Sequence, residues 1–472
     1  METSLDNNIN CEASVAFTED LDKELTRHLD KGPAQEDLIF AYWRPSTGRQ
    51  RFSALLYKLV MPSSDDRILQ GNVAFTEQYI RRVLTDLPQN SGVALLHSHL
   101  GPGWQGMSED DIVAERDRLA GAVWGRSALP LLGLTRGTDR TWSARFWVRN
   151  APKQYVRKDA SSVRVVGERL RISYNERLRP TAKIEDSQAA TASVWGDRAQ
   201  AELVKAHIGV VGLGSVGSIV AEGLARTGFS RITLIDHDRI EERNLDRTLG
   251  AEASDVIAQL HKVQISARNL DRSHTAAQLN PNVVAASLLS VDGWAAAMDC
   301  DAIMCCVDRP WPRYLLNELA YTHLIPVVDG GIFARVKDDG TPLHVDWRIH
   351  GVGPGRACML CLGALLRSDA SLDRDGLLDD PDYISGLSPS ERERYARRNI
   401  FAFSLSVAAH QLLQLIGVLT GMQRIGGAAP QMYHAYPGRM DVLPQNSCDA
   451  DCEIAEMTAS GADLTDHFLR GG

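Results

Sequence analysis

The sequence predicts an α/β protein of two domains, the second built on a mainly parallel sheet. Three observations carry this. The chain has 472 residues, more than one ordinary core holds. A strand, a glycine-rich turn, a helix and a second strand follow one another between His207 and Ile235, the βαβ order of a parallel sheet. A separate set of strands, upstream of that unit, leads into His97-Ser98-His99.

In the first domain Leu38–Trp43 and Arg51–Val60 are strand-like, and Thr76–Leu87 has helical spacing at Tyr79, Ile80, Val83 and Leu84. Val93–Leu96 is a short buried-strand run. Residues 1–155 are taken as this domain and 156–195 as a polar linker with some helix, its arginines Arg164, Arg169, Arg171, Arg177 and Arg179 on a solvated face. The second domain, 196–455, adds the strand Ala302–Val307, the helix Arg313–Thr322, the strand Pro326–Val328 and the long apolar helix Phe401–Gly421. Residues 456–472 read as a loosely ordered tail ending Leu469-Arg470-Gly471-Gly472.

Composition narrows the class. Hydrophobic residues at 44% and charged residues at 24% are values of a globular protein. The net charge of −9 is spread along the chain, which speaks against a nucleic-acid surface. The N-terminus has neither a positive nor an apolar leader region, and no apolar stretch is expected to reach membrane-spanning length, so a cytoplasmic protein is expected. In that compartment eight cysteines suggest metal binding or catalysis before disulfides.

The first candidate site follows from the end of the buried strand. Alternate strand residues point the same way, so His97 and His99 can meet one ion, and Asp111 in the first turn of a following helix can add a carboxylate. Three protein ligands leave the fourth position of a zinc ion open, as in catalytic sites. Glu36, at the mouth of the strand Leu38–Tyr42, is placed to act as base, with Glu77 as the alternative. His-x-His, then Ser108-x-x-Asp111, with Glu36 upstream, resembles the JAMM/MPN metalloproteases, which cut isopeptide bonds at ubiquitin-like C-termini. The resemblance implies a zinc held by His97, His99 and Asp111, Glu36 as base and Ser108 as oxyanion partner. Here the loop from His99 to Ser108 is one residue longer than usual in that family, and Leu100 stands where proline is common.

The second candidate site is the run Gly212-Leu213-Gly214-Ser215-Val216-Gly217. Gly212 permits a tight turn, Gly214 lets a phosphate approach the backbone, and Gly217 lets helix pack on strand. Asp236 ends the next strand, where a carboxylate can hold a ribose hydroxyl. Alone this points to a nucleotide or dinucleotide, and an NAD-dependent oxidoreductase remains an alternative.

The run Asp236-x-Asp238…Asn244-Leu245-x-Arg247 closely resembles the signature of the ThiF/MoeB/ubiquitin-activating superfamily. That resemblance implies a Rossmann-like adenylation domain that binds ATP and Mg²⁺ and adenylates a protein's C-terminal glycine. Lys262 stands where the family has a phosphate-binding lysine, Asp308 where it has the Mg²⁺-binding aspartate, and Arg313 and Asn317 repeat its spacing. Ser215 departs from the usual second glycine, and no arginine occupies the finger position before Gln200.

Cys358-x-x-Cys361 and Cys448-x-x-x-Cys452 suit a closed tetrahedral zinc that ties the segment to the tail. No cysteine lies between Cys361 and Cys448, where thioester-forming relatives carry their nucleophile, so the reaction is expected to stop at the adenylate. Cys305 and Cys306 read as packing residues, and Cys300 as the weaker nucleophile candidate.

Joined in one chain, the two resemblances imply an enzyme that trims and adenylates a ubiquitin-like protein with a Gly-Gly tail, with a conjugating enzyme and a homodimer as partners and no nucleic acid or membrane. Such fusions resemble components of bacterial ubiquitin-like conjugation systems, including those linked to phage defence. A sulfur-carrier protein is the alternative substrate, and an inactive modifier-binding scaffold the alternative class.

Overall fold

The computed structural model describes residues 11–30, 35–70, 72–336, 342–388, 391–392, 395, 398–421, 429–444 and 447–462. They form two compact units. One comprises the described residues up to Pro180 with Thr322–Leu324 and Thr458–Ala462, the other Thr181–Tyr321 and the described residues of Ile325–Met457. The Leu469–Gly472 tail lies outside the described residues.

The first unit is built on strands β1 (Glu12–Thr18), β2 (Leu38–Thr47), β3 (Arg51–Val60), β4 (Arg67–Gln70), β5 (Asn72–Phe75), β6 (Gly92–Ser98), β7 (Leu131–Arg136), β8 (Trp142–Ala151), β9 (Gln154–Asp159), β10 (Ser162–Val166) and β11 (Leu170–Tyr174). Nine of them form one mixed sheet in the order β11-β10-β1-β3-β2-β6-β7-β8-β9, and β4 and β5 pair separately. Period-two alternation gives the sheet two buried faces. In β2, Ile39, Ala41 and Trp43 pack on one side with Leu25 and Leu29 of the helix Glu19–Leu29. Leu38, Phe40 and Tyr42 pack on the other with Tyr79 and Val83 of the helix Glu77–Thr85.

β1 lies inside the sheet, parallel to both β3 and β10. One expectation for this region is corrected. The stretch expected to be a linker supplies β9, β10 and β11. Polar residues hid these strands: every residue of β10 is buried, Ser162 and Arg164 included. Arg164 is therefore not on a solvated face, Arg171 pairs with Asp22, and Arg179 pairs with Glu12 at 2.6 Å.

The second unit carries β12 (His207–Val211), β13 (Arg231–Ile235), β14 (Asn280–Val284), β15 (Ala302–Cys305), β16 (Val327–Val336), β17 (Pro342–Val352), β18 (Gln431–His434) and β19 (Arg439–Val442). Their order is β14-β13-β12-β15-β16-β17-β18-β19. The first five strands are parallel and the rest antiparallel. This is a parallel-rich α/β fold. In the register Val211 faces both Ile235 and Cys305, so three strand ends share one carboxyl edge, the edge at which open α/β sheets bind ligands.

The helix Phe401–Thr420 is long and apolar enough to cross a membrane by length and composition, contrary to the expectation that no such stretch exists. Here it packs on the sheet, and its buried Gln411 donates to the carbonyls of Cys305 and Val328 at 3.0 and 3.1 Å.

Candidate functional site

In the first unit, the sheet register places His97 opposite Leu38 on one neighbour and Thr135 on the other. His97 Nε2 lies 3.1 Å from His99 Nε2 and 3.3 Å from Asp111 Oδ1, and His99 Nε2 lies 3.3 Å from Asp111 Oδ2. Three donors about 2 Å from one tetrahedral zinc are separated by roughly 3.3 Å, so this set fits the ion. Asp111 comes from the short helix Glu109–Ile112. Ser108 caps it: Asp111 N donates to Ser108 Oγ at 3.1 Å, and Ser108 N donates to Asp111 Oδ2 at 2.8 Å.

The electrostatics are those of a crowded site. Burial lowers the His97 pKa to about 3, whereas the hydrogen bond with Asp111 raises that of His99. Burial works against the Asp111 carboxylate, yet His99, His97 and Ser108 together hold its pKa well below the ordinary range. Glu36 is raised, first by burial, and feels the charges of His99 and Asp111. Glu77 sits exposed on the first turn of its helix.

In the second unit the glycine-rich turn joins β12 to the helix Ser215–Thr227. Gly212 has φ +88°, the left-handed region. A Cβ at Gly217 would stand 1.8 Å from the Gly212 carbonyl oxygen, whereas one at Gly214 would meet nothing within 4 Å. Each glycine thus has a distinct job: turn, open approach and close packing.

Asp236 is buried at the end of β13, and its carboxylate accepts from Leu213 N at 2.6 Å and Asp238 N at 2.7 Å. It therefore braces the turn, a role not anticipated beside ribose binding. Lys262, at the start of the helix Lys262–Ser273, pairs with Asp238 at 2.7 Å. Arg247 donates to Asp246 Oδ1 and to the Arg243 carbonyl, each at 2.7 Å. Asn244 Oδ1 accepts from Glu241 N at 3.1 Å, and Asp308 is exposed beyond the end of β15.

Arg313 and Asn317 point into the interior. Arg313 makes a two-pronged pair with the fully buried Asp329, and Asn317 Oδ1 accepts from Met359 N at 2.8 Å. Sequence reasoning missed two neighbours. Arg309, next to Asp308, clamps Asp379 through two 2.6 Å hydrogen bonds and also pairs with Asp373. Asn399 reaches Ser215 in the glycine-rich turn.

The ThiF family matches residues 186–442, more than half of the chain. The chain belongs to the ThiF family. It is 33% identical over 146 residues to the tRNA threonylcarbamoyladenosine dehydratase of Escherichia coli K12, covering 30% of this chain and 52% of that protein. Another match is to the adenylyltransferase and sulfurtransferase UBA4 of Yarrowia lipolytica, 33% identical over 146 residues, or 31% and 35% of the two chains. The ubiquitin-like modifier-activating enzyme 5 of Drosophila willistoni is 26% identical over 185 residues, or 36% and 43%. The ThiF-family chain thus spans about half or less of the length of these curated relatives.

This ThiF-family unit also gathers four cysteines. The sulfurs of Cys358, Cys361, Cys448 and Cys452 all lie within 4.8 Å of one another. Cys358 Sγ is 3.7 Å from Cys452 Sγ, near the spacing of two thiolates roughly 2.3 Å from one zinc. Backbone N–H groups of Cys358, Cys361 and Asp449 point at these sulfurs at 3.2 to 3.5 Å, and the hydrogen bond with the Cys358 side chain, ahead of that from its backbone, lowers the Cys448 pKa to about 5. Cys300, Cys305 and Cys306 do not join them. Cys300 and Cys305 are fully buried, and burial raises the thiol pKa of Cys305 and Cys306 far above the ordinary value.

Proposed function

We propose that the second unit adenylates the C-terminal glycine of a ubiquitin-like or sulfur-carrier protein, and that the first unit is a zinc isopeptidase acting at the same glycine. The observation that carries the first part is the turn at Gly212, Gly214 and Gly217. It leaves open space at Gly214 on the carboxyl edge of the sheet, ahead of a 13-residue helix whose N-terminus favours phosphate.

The reaction would proceed by attack of the glycine carboxylate on the α-phosphate of ATP, with pyrophosphate leaving. Negative charge accumulates on both sides of the broken bond, so the site must neutralise charge more than move protons. Lys262 and Arg247 are the cations for this work. Each now rests on a carboxylate, Asp238 and Asp246, which phosphate oxygens would replace as partners. Asp308 is exposed at the edge and would hold Mg²⁺. The raised thiol pKa values of Cys305 and Cys306 support an acyl-adenylate product without a thioester on either residue.

In the first unit, His97, His99 and Asp111 would hold zinc, which supplies a polarised water when bound. Glu36, whose pKa is raised by burial, would take a proton from that water and pass it to the leaving amine. The four-cysteine cluster would hold a second, structural zinc. A cytoplasmic homodimer working with a conjugating enzyme belongs to this proposal.

The test is ATP–pyrophosphate exchange dependent on a Gly-Gly-tailed partner. Asp308→Ala should abolish exchange while partner binding persists. Exchange without such a partner, or NAD binding in place of ATP, would overturn the reading. The sulfurtransferase in the name of the Yarrowia relative keeps a sulfur carrier in view, and a thiocarboxylate product instead of isopeptide conjugates would select it. Glu36→Gln should retain zinc and lose cleavage after Gly-Gly, and His97→Ala protein that still cleaves would remove the isopeptidase.

A further inference from the structure

We propose that Thr135 belongs to the histidine site as a hydroxyl donor aimed into the space between His97, His99 and Asp111, held there by the buried Arg145–Glu115 pair. The assignment rests on the zinc-isopeptidase reading of that site. Thr135 faces His97 across the parallel pairing of β6 and β7, and its Oγ1 lies 3.3 Å from His97 Nε2. On its other side Arg145 Nη1 donates to the same oxygen at 2.5 Å.

The chemistry then limits the direction of the hydroxyl. A guanidinium can only donate, and a threonine hydroxyl carries one hydrogen. Arg145 therefore occupies one lone pair of Thr135 Oγ1, which leaves the hydroxyl hydrogen able to turn to the histidine side, where His97 Nε2 is its neighbour at 3.3 Å. With the His97 Nε2 lone pair committed to an ion, that hydrogen would turn to an oxygen bound within the site. A donor limited in this way, at a buried position, is the kind of group that stabilises developing charge on oxygen.

Arg145 cannot easily turn. Its Nε donates to Glu115 Oε2 at 3.0 Å, its Nη2 donates to Glu115 Oε1, and Trp147 Nε1 donates to Glu115 Oε2 at 2.7 Å. Glu115 is 0% and Arg145 3% exposed. Gly133 makes room for them, since a Cβ there would stand 2.4 Å from Glu115 Oε2 and 2.7 Å from Arg145 Nε.

A buried ion pair of this kind is a poor source of net stability, which favours a positioning role. Glu115 lies on the π-helical turn Val113–Leu119, which directly follows the helix that carries Asp111. Such turns recur at functional sites. One continuous segment thus supplies both a ligand and the anchor of the donor.

The experiment uses the full chain and a lysine reporter joined through its side chain to a Gly-Gly peptide. Thr135→Val should keep about one zinc in the site, lower kcat at least tenfold and leave KM within about twofold. Thr135→Ser should restore most of the rate, which a purely packing role would not produce. With cobalt in place of zinc, Thr135→Val should shift the visible absorption band and Thr135→Ser should return it. Thr135→Ala gives the same readings should the valine variant not fold. Thr135→Val with wild-type kcat and a wild-type cobalt spectrum overturns the assignment. Wild-type protein that binds cobalt but cleaves nothing defeats the isopeptidase alone, and the spectra then decide. Wild-type protein that takes up no ion at His97 and His99 overturns both.

Discussion

Asn399 Nδ2 donates to Ser215 Oγ at 2.8 Å and to Ser404 Oγ at 2.9 Å. One amide thus ties the glycine-rich turn to the first turn of the helix Phe401–Thr420. Ser215 is where the chain departs from the glycine usual in the resembling family, and the structure gives its hydroxyl a partner. Asn399→Ala should free the turn and raise the KM for ATP about two- to tenfold, with a melting temperature lower by only a few degrees, since the two partly buried hydrogen bonds it removes contribute roughly 1 kcal/mol each. An unchanged KM in the exchange assay would show that the turn is fixed without this contact.

The cysteine cluster makes a separate prediction. Cys358→Ser with Cys361→Ser should lower the zinc content by one ion, measured by mass spectrometry of the metal. It should also destabilise the second unit by several kcal/mol, an order of magnitude consistent with zinc–thiolate sites. Zinc at the histidine site should be unaffected. A metal count equal to that of the parent protein would remove the clip and leave the adenylation proposal standing.

Glu318 carries a pH prediction. Burial raises its carboxyl pKa to about 7 from an ordinary value of 4.5. The folded state therefore holds a proton that the unfolded state releases between about pH 4.5 and 7. The favourable contribution is fully present below pH 4.5 and is lost as pH rises through 7. Glu318→Gln should match the parent protein near pH 4.5 to 5. At pH 8 it should be more stable, by on the order of 1 to 3 kcal/mol. Denaturant melts at the two pH values measure it, and equal stability gaps at both would refute the linkage.

What could be read from the sequence depended on whether a residue's role was local. Gly212 and Gly217 announce themselves because a left-handed turn and a helix in contact with a carbonyl oxygen exclude side chains. His97, His99 and Asp111 were legible because strand alternation and a helix start bring them together within a short stretch. Arg164 misled because a buried arginine on β10 looks like a surface charge when its strand is read alone. Thr135, Arg145 and Glu115 left no signal, since their contact exists only through the register of β6, β7 and β8 and the packing of the turn Val113–Leu119 against those strands. Arg313 followed the expected spacing, yet a partner 16 residues away, Asp329, holds it in the interior.

The glycine-rich turn allows folding and nucleotide binding to be separated, because its glycines face opposite demands. At Gly217 a Cβ would lie 1.8 Å from the Gly212 carbonyl oxygen, a backbone atom with no rotamer to yield. Gly217→Ala must push helix from strand, so a loss of about 1 to 3 kcal/mol or more is expected. At Gly214 φ is −76° and the space around a Cβ is empty, so Gly214→Ala should cost about 1 kcal/mol or less. That empty space is where a phosphate would approach the backbone, and a methyl group there would hold it away. Gly214→Ala should therefore melt close to the parent protein while its affinity for ATP with Mg²⁺ falls at least tenfold by calorimetry. Gly217→Ala should melt several degrees lower, and any weakening of ATP binding should track its unfolding. If Gly214→Ala binds ATP as tightly as the parent protein, the nucleotide does not lie on this turn, and the roles proposed for Lys262, Arg247 and Asp308 lose their common centre.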